Sequence, residues 1–139
     1  MPARVREQPT WLINRTSAYA HRLLADGFAR AGVRGYHYRL LAALAEFGPA
    51  SQAELGRRTE IDRSDVVAAL NELAARRLVK RAPDPDDRRR NVVTTTVAGK
   101  RKLVELDEVV TGVQDELLAP LSGAERTQLV RLLTRLLEG

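Results

Sequence analysis

No cysteine occurs among the 139 residues. That excludes disulfides, thiolate redox sensing and cysteine-ligated metal sites. Histidine is nearly absent too, with His21 and His37 the only two, so no set of converging ligands for a metal is in view. Asp84, Asp86 and Asp87 alternate like a calcium loop for three residues, but the glycine and distal glutamate that such a loop needs are missing. Outside that loop no carboxylate cluster could hold a catalytic magnesium. An enzyme such as a nuclease is therefore disfavoured, and no cofactor is expected. Long apolar runs and basic amphipathic helices are lacking, which argues against a membrane partner. The first residues, MPARVREQP, lack the apolar centre of a signal peptide, so a cytoplasmic location is expected. There is no low-complexity segment and no internal repeat.

What the chain does have is positive charge. Its 23 basic and 18 acidic residues give a net charge of +5. The excess is local: residues 76–90 hold 7 basic against 3 acidic side chains, whereas residues 97–139 are slightly acidic, with 6 against 7. A basic stretch of this kind favours nucleic acid.

The stretch from Ser51 to Thr96 organises the rest. Ser51 and Glu54 have the S-x-x-E spacing of a capping box, and Leu55 gives a short helix its buried anchor. A turn over Thr59–Ile61 leads to Asp62, a good cap for a second helix. Ile61 and Val66 occupy staple positions, and Val66, Leu70 and Leu73 repeat at i, i+4, i+7 as one buried face. The other face carries Arg63, Ser64, Val67, Ala68 and Asn71, small or polar residues that let a helix approach the floor of a groove. In a helix-turn-helix this second helix lies in the major groove, N-terminal end nearest the bases. Ser51 and Gln52, at the start of the first helix, complete the expected DNA-facing set.

Two strands follow, Leu78–Arg81 and Asn91–Thr96, rich in β-branched residues. The loop between them, Pro83 to Arg90, is stiffened by prolines and aspartates. Read alone, Arg88, Arg89 and Arg90 fit a solvated loop as well as a binding one. Between paired strands and behind a capped helix pair, they are expected to enter a narrow minor groove, to which arginine is suited. Asp87, two residues from Arg89, is expected to hold that guanidinium in place. The fold class expected is mainly α with a small β-wing: a winged helix-turn-helix.

The run D-R-S-x-V, then L-V-K-R, P-D-P-D-D-R-R-R and T-T-T-V-A-G, resembles the multiple antibiotic resistance regulator (MarR) family. The resemblance covers nearly the whole chain and is most specific over residues 81–99. It implies a homodimeric transcription factor that binds a palindromic operator and often releases it when a small molecule binds. The absence of cysteine rules out the thiol switch that some such proteins use. Two departures stand out. Many members have threonine and arginine where this chain has Val67 and Ala68, so base preference cannot be carried over, although Val67 could touch a thymine methyl. The family also tends to have glycine where Arg77 stands. A positive φ there carries a steric cost for arginine, so the helix is expected to end differently.

The flanking segments read as helices. Residues 1–9 look loose, and Thr10 is expected to cap a helix reaching about Arg30, with Leu12, Thr16, Tyr19, Leu23, Leu24 and Phe28 as its stripe and Gly32 ending it. A second helix runs from about Arg34 to Phe47, burying Leu40, Leu41 and Leu44 before Gly48-Pro49. Thr96 caps a long helix to about Leu118 with Leu103, Leu106, Val110, Val113 and Leu117 in a heptad-like seam. Ser122 and Glu125 form another capping box, opening a last helix to about Leu137. Its stripe of Leu129, Val130, Leu132, Leu133, Leu136 and Leu137 is too wide for a solvated surface, which marks an interface. The expected organisation is a helical dimerisation region of residues 1–33 and 97–139 intertwined with a DNA-binding region of residues 34–96. Phosphate contacts would make affinity fall steeply with salt.

For an effector, the resemblance implies a small aromatic or acidic molecule between the first two helices and the long helix after the wing. Trp11 could stack on it, Arg15 could pair its carboxylate, and His37 and Tyr38 lie where the family often has aromatic and amide side chains. Packing within a dimer core accounts for the same four residues and is favoured over a pocket. A reading from another class stays open as well: a small-molecule-sensing or scaffold protein whose basic wing grips an acidic protein.

Overall fold

The computed structural model describes residues 1–139. The elements run α1 (Ala3–Arg6), α2 (Pro9–Arg30), α3 (Gly35–Phe47), α4 (Gln52–Thr59), α5 (Arg63–Ala75), β1 (Val79–Pro83), β2 (Asn91–Thr95), α6 (Val97–Leu117) and α7 (Gly123–Glu138). This is the mainly helical, winged architecture that the sequence predicts. No helix is long and apolar enough to cross a membrane.

The core lies between Phe28 and Leu106, and α3 is its centre, packed against α4, α5 and α6. Leu40, Leu41 and Leu44 of α3 are buried, as are Leu55 of α4 and Val66, Ala69, Leu70 and Leu73 of α5. α2 packs along α6. β1 and β2 pair antiparallel, from Val79 opposite Thr95 to Pro83 opposite Asn91. A third short edge joins them: Ala50 and Val93 exchange backbone hydrogen bonds of 3.2 and 2.8 Å. That bridge ties the wing to the segment just before α4, and Val93 is fully buried there.

Several ends follow the local chemistry of the sequence. Asp62 caps α5 through the Ser64 amide, Thr96 caps α6 through the Gly99 amide, and Ser122 with Glu125 closes a two-armed capping box on α7. Ser51 caps α4, but its box is one-armed: the Ser51 hydroxyl donates to Glu54 and no return bond from Glu54 reaches the Ser51 amide. The N-terminus differs from expectation. Residues 3–6 form a helical turn, and α2 begins at Pro9, so Thr10 lies inside the helix rather than capping it. Proline is pre-shaped for a first helical position, where its missing N–H costs nothing. Leu12, Thr16 and Tyr19 of the expected stripe are exposed, while Phe28 is buried.

The end of α5 also departs from expectation. Arg77 adopts φ +59, in the left-handed region, despite its side chain. The Leu78 amide bonds the Leu73 carbonyl at 2.9 Å and the Arg77 amide bonds that of Ala74 at 3.0 Å. This is a Schellman cap with arginine in the glycine position, and the Thr96 hydroxyl donates to the Arg77 carbonyl at 2.8 Å. Burial of Leu73 and Leu78, which flank the cap, outweighs the strain. The junction with α6 is tight: a β-carbon on Gly99 would lie 2.0 Å from the Leu78 carbonyl oxygen.

A left-handed residue costs roughly 1–2 kcal/mol more with a side chain than as glycine, partly offset by the unfolded freedom of glycine. Arg77→Gly should therefore raise the unfolding free energy by roughly 0.5–1 kcal/mol in urea titrations, while Arg77→Ala should leave it nearly unchanged.

Candidate nucleic-acid interface

With its inner face buried, α5 has only one face to offer. Arg63, Ser64, Ala68 and Asn71 are exposed and Val67 is half-buried. Arg63 makes no side-chain hydrogen bond or ion pair, so its guanidinium is free at the N-terminal end of the helix. The Ser64 hydroxyl donates to Asp62 at 2.6 Å. That bond, with the Ser64 amide, holds the Asp62 carboxyl below its usual range. Asn71 is not free: its carbonyl oxygen accepts from Arg81 of β1 at 2.8 Å. Sequence reading missed Arg81, although alternation from buried Val79 puts it on the same side of the strand. Ser51 is buried and engaged as a cap, which leaves the exposed Gln52 as the reachable residue at the start of α4.

The wing is shaped by its aspartates. Asp84 accepts from the Asp86 amide at 2.9 Å, and Asp87 accepts from the Arg89 amide at 3.1 Å, two turns in which the side chain replaces a backbone partner. Asp87 also meets the Arg89 guanidinium at 3.4 Å. The Arg89 side chain is 94% exposed, and Arg88 is exposed with no side-chain partner. Arg90 behaves differently: it bridges Glu54 at 3.0 Å and Asp84 at 3.2 Å. Glu54 also accepts from Ser51 and faces Arg58 at 3.5 Å. The Ser51 hydroxyl and the two guanidinia hold its carboxyl below the usual range.

Residues 27–90 match the family model described as MarR family. The HTH-type transcriptional repressor NicR of Pseudomonas putida is 33% identical over 98 residues, covering 70% of this chain and 62% of that protein. The matched part thus spans less than two thirds of that relative's length. A probable transcriptional regulator from Pseudomonas aeruginosa has the same fold, with a TM-score of 0.82 and 32% identity over 93% of this chain and 96% of that one. The chain belongs to the MarR family. BpsR of Bordetella bronchiseptica, described as having its DNA binding regulated by 6-hydroxynicotinic acid, matches with a TM-score of 0.84 at 25% identity over 100% of this chain and 99% of that one.

On this MarR fold, the four residues expected at an effector site separate into three places. Trp11 and Arg15 stack on each other near the start of α2, with the guanidinium 5.8 Å from the ring centre. His37 is buried, only 3% exposed, beside a shallow cleft between the end of α2 and α5. Its Nδ1 accepts the Arg34 amide at 3.1 Å, which assigns the ring proton to Nε2, and Nε2 meets Glu72 of α5 at 2.9 Å. Arg34 also pairs with Glu72, at 2.5 Å. From the third position of α3, His37 thus closes the capping box on Arg34 and ties α3 to α5, and the second of these roles has no local signature in sequence. Only Tyr38 lines the larger cleft of about 790 Å³, with Phe28, Tyr36, His21, Arg34 and Arg39. Its hydroxyl donates to Asp107 of α6 at 2.8 Å, and burial with that bond raises its pKa.

Burial lowers the His37 pKa from 6.5; Glu72 opposes this and the charges of Arg34 and Arg76 assist it. The unfolded chain therefore takes up a proton that the folded chain refuses. The contribution is fully present above about pH 6.5 and is lost as pH falls below that toward the lower folded value. Glu54, Asp62 and Glu125, also lowered, lose theirs only as pH falls through the carboxylate range. The unfolding free energy should drop as pH falls below about 6.5. His37→Gln, less stable at neutral pH, should show a flatter profile in that window by urea titration.

Proposed function

We propose that this protein is a homodimeric, sequence-specific regulator of transcription, acting as a repressor on an inverted repeat in duplex DNA. The observation that carries the reading is the pairing of an exposed outer face on α5 with two outward guanidinia on the wing, the unpartnered Arg88 and Arg89, whose one contact is with Asp87. α5 would lie in a major groove with Gln52, Arg63, Ser64, Val67 and Asn71 toward DNA, and Arg88 and Arg89 would reach the adjacent minor groove. A two-fold dimer would carry two such sets at about 34 Å, one helical turn of DNA.

The terminal regions support the dimer. α7 buries no residue within its own chain, and Val130, Leu132, Leu133, Leu136 and Leu137 are 41–90% exposed. Leu12, Ile13 and Tyr19 of α2 are exposed as well. Such a patch is large for a solvated surface, and a second copy covering it would join residues 1–33 and 97–139 as one dimerisation region. Trp11 and Arg15 belong to that region in this reading.

We infer that the Tyr38 cleft takes an effector. Phe28, Tyr36 and Tyr38 offer aromatic faces, and His21, Arg34 and Arg39 offer positive or polar edges, a combination suited to a small aromatic carboxylate. BpsR, whose DNA binding is regulated by 6-hydroxynicotinic acid, supports a ligand of that class. Binding would weaken DNA affinity by favouring a dimer with misplaced recognition helices, to the extent of its differential affinity for that state.

Selection from a random duplex pool should return an inverted repeat with half-sites one turn apart. Against that site, Arg63→Ala should lose about 1–3 kcal/mol and relax one base position. Arg89→Ala should weaken binding across sequences and reduce the salt slope by about one; wild-type behaviour in both variants would remove these residues from the interface. Leu133→Asp with Leu136→Asp should yield single subunits by sedimentation, with loss of binding to the full repeat; a dimer of unchanged mass would rule out α7 as its seam.

A further inference from the structure

The three consecutive arginines of the wing do not share one environment. Arg88 has no partner and Arg89 has only the 3.4 Å contact to Asp87 at 94% exposure. Arg90 instead spans two carboxylates that belong to different parts of the fold, Asp84 at the base of the loop and Glu54 in the first turn of α4. Both carboxylates are largely shielded, with 13% and 23% of their side chains exposed. The Arg90 side chain is 48% exposed, but a charge placed between two anions is already compensated and has less to offer a phosphate than Arg88 or Arg89.

The place of the bridge matters. The hairpin is otherwise thinly held: four of the five β1 residues are exposed, and two strands alone are marginal in water. One anchor is the backbone bridge from Val93 to Ala50. Arg90, in the loop just before β2, supplies a second, farther out from the root of the hairpin, to the same segment around the start of α4. Two anchors on one segment fix the tilt of the loop as well as its position. Ser51, which donates to Glu54, orients the receiving carboxylate from behind.

We propose that Arg90 is a positioning residue, not a DNA contact: with Glu54 and Asp84 it latches the wing to α4 and so sets where Arg88 and Arg89 meet DNA. This rests on the DNA-binding reading above. It reverses the sequence-based expectation for Arg90 and assigns a role to Glu54, a residue whose negative charge would by itself repel DNA.

That sign supplies the test. Affinity for the selected duplex is measured over a range of salt for wild type, Glu54→Gln, Arg90→Gln, Arg89→Ala and the control Glu60→Gln, which removes the same charge from an exposed residue with no ion-pair partner. Glu54→Gln should weaken binding roughly threefold, the scale of a modest ion pair, whereas Glu60→Gln should leave it equal or stronger. Arg90→Gln should weaken binding with an unchanged salt slope, while Arg89→Ala reduces the slope by about one. Without DNA, amide exchange over residues 84–90 should quicken in Glu54→Gln and in Arg90→Gln. Tighter binding by Glu54→Gln, or a slope reduced by about one in Arg90→Gln, would overturn the proposal. So would unchanged exchange in both variants. If wild type binds no duplex, the DNA reading itself fails, and the exchange measurement alone decides whether the latch exists.

Discussion

The dry seam beneath α5 is the constraint from which the rest follows. Val66, Leu70 and Leu73 are at most 1% exposed, against a core that includes Leu40, Leu41 and Leu106. Each such side chain contributes about 1.5–3 kcal/mol by leaving water, whereas an exposed ion pair contributes about 0–1 kcal/mol. The pose of the helix is therefore decided by its hydrophobic side, and the charged residues around it only trim that pose. Because the helical period is fixed, burying one stripe dictates which residues face outward. Asp62 and the left-handed Arg77 bound the helix at its two ends, so its length is fixed along with its rotation.

Against that rigid helix the wing is a softer element, and its charges divide by function. Asp84 and Asp87 shape the turn through backbone amides. A loop with so many acids beside the surface proposed to face DNA looks contradictory until those bonds are counted. Asp84 and Asp87 are engaged internally in that geometry, so of the three loop acids only the exposed Asp86 stands free beside the outward Arg88 and Arg89.

What could be read from sequence was what is local. Caps at Asp62, Thr96 and Ser122 lie within three residues of their partners, and the Asp87–Arg89 contact spans two. The buried stripes of α3 and α5 follow from periodicity alone. What could not be read was set by distance along the chain. Arg90 meets Glu54 across 36 residues, His37 meets Glu72 across 35 and Tyr38 meets Asp107 across 69. Arg77 is a different failure. Arginine locally disfavours a left-handed backbone, but burial around Leu73 and Leu78 overrides that preference, as tertiary packing does when it exceeds a strain of about 1–2 kcal/mol. At the N-terminus, Gln8 holds the cap position expected of Thr10, with Pro9 as the first helical residue.

The close approach at Gly99 has a mechanical consequence. With the Leu78 carbonyl occupying the space of a side chain there, and Thr96 bonded to Arg77 and Leu78, the foot of α6 is pinned to the root of the wing. Twenty-one residues of helix, about 30 Å at the usual rise, extend from that foot along α2. A long rod fixed at one end cannot slide along its axis. It can only swing, so a small sideways push at its far end would arrive at the wing as a rotation.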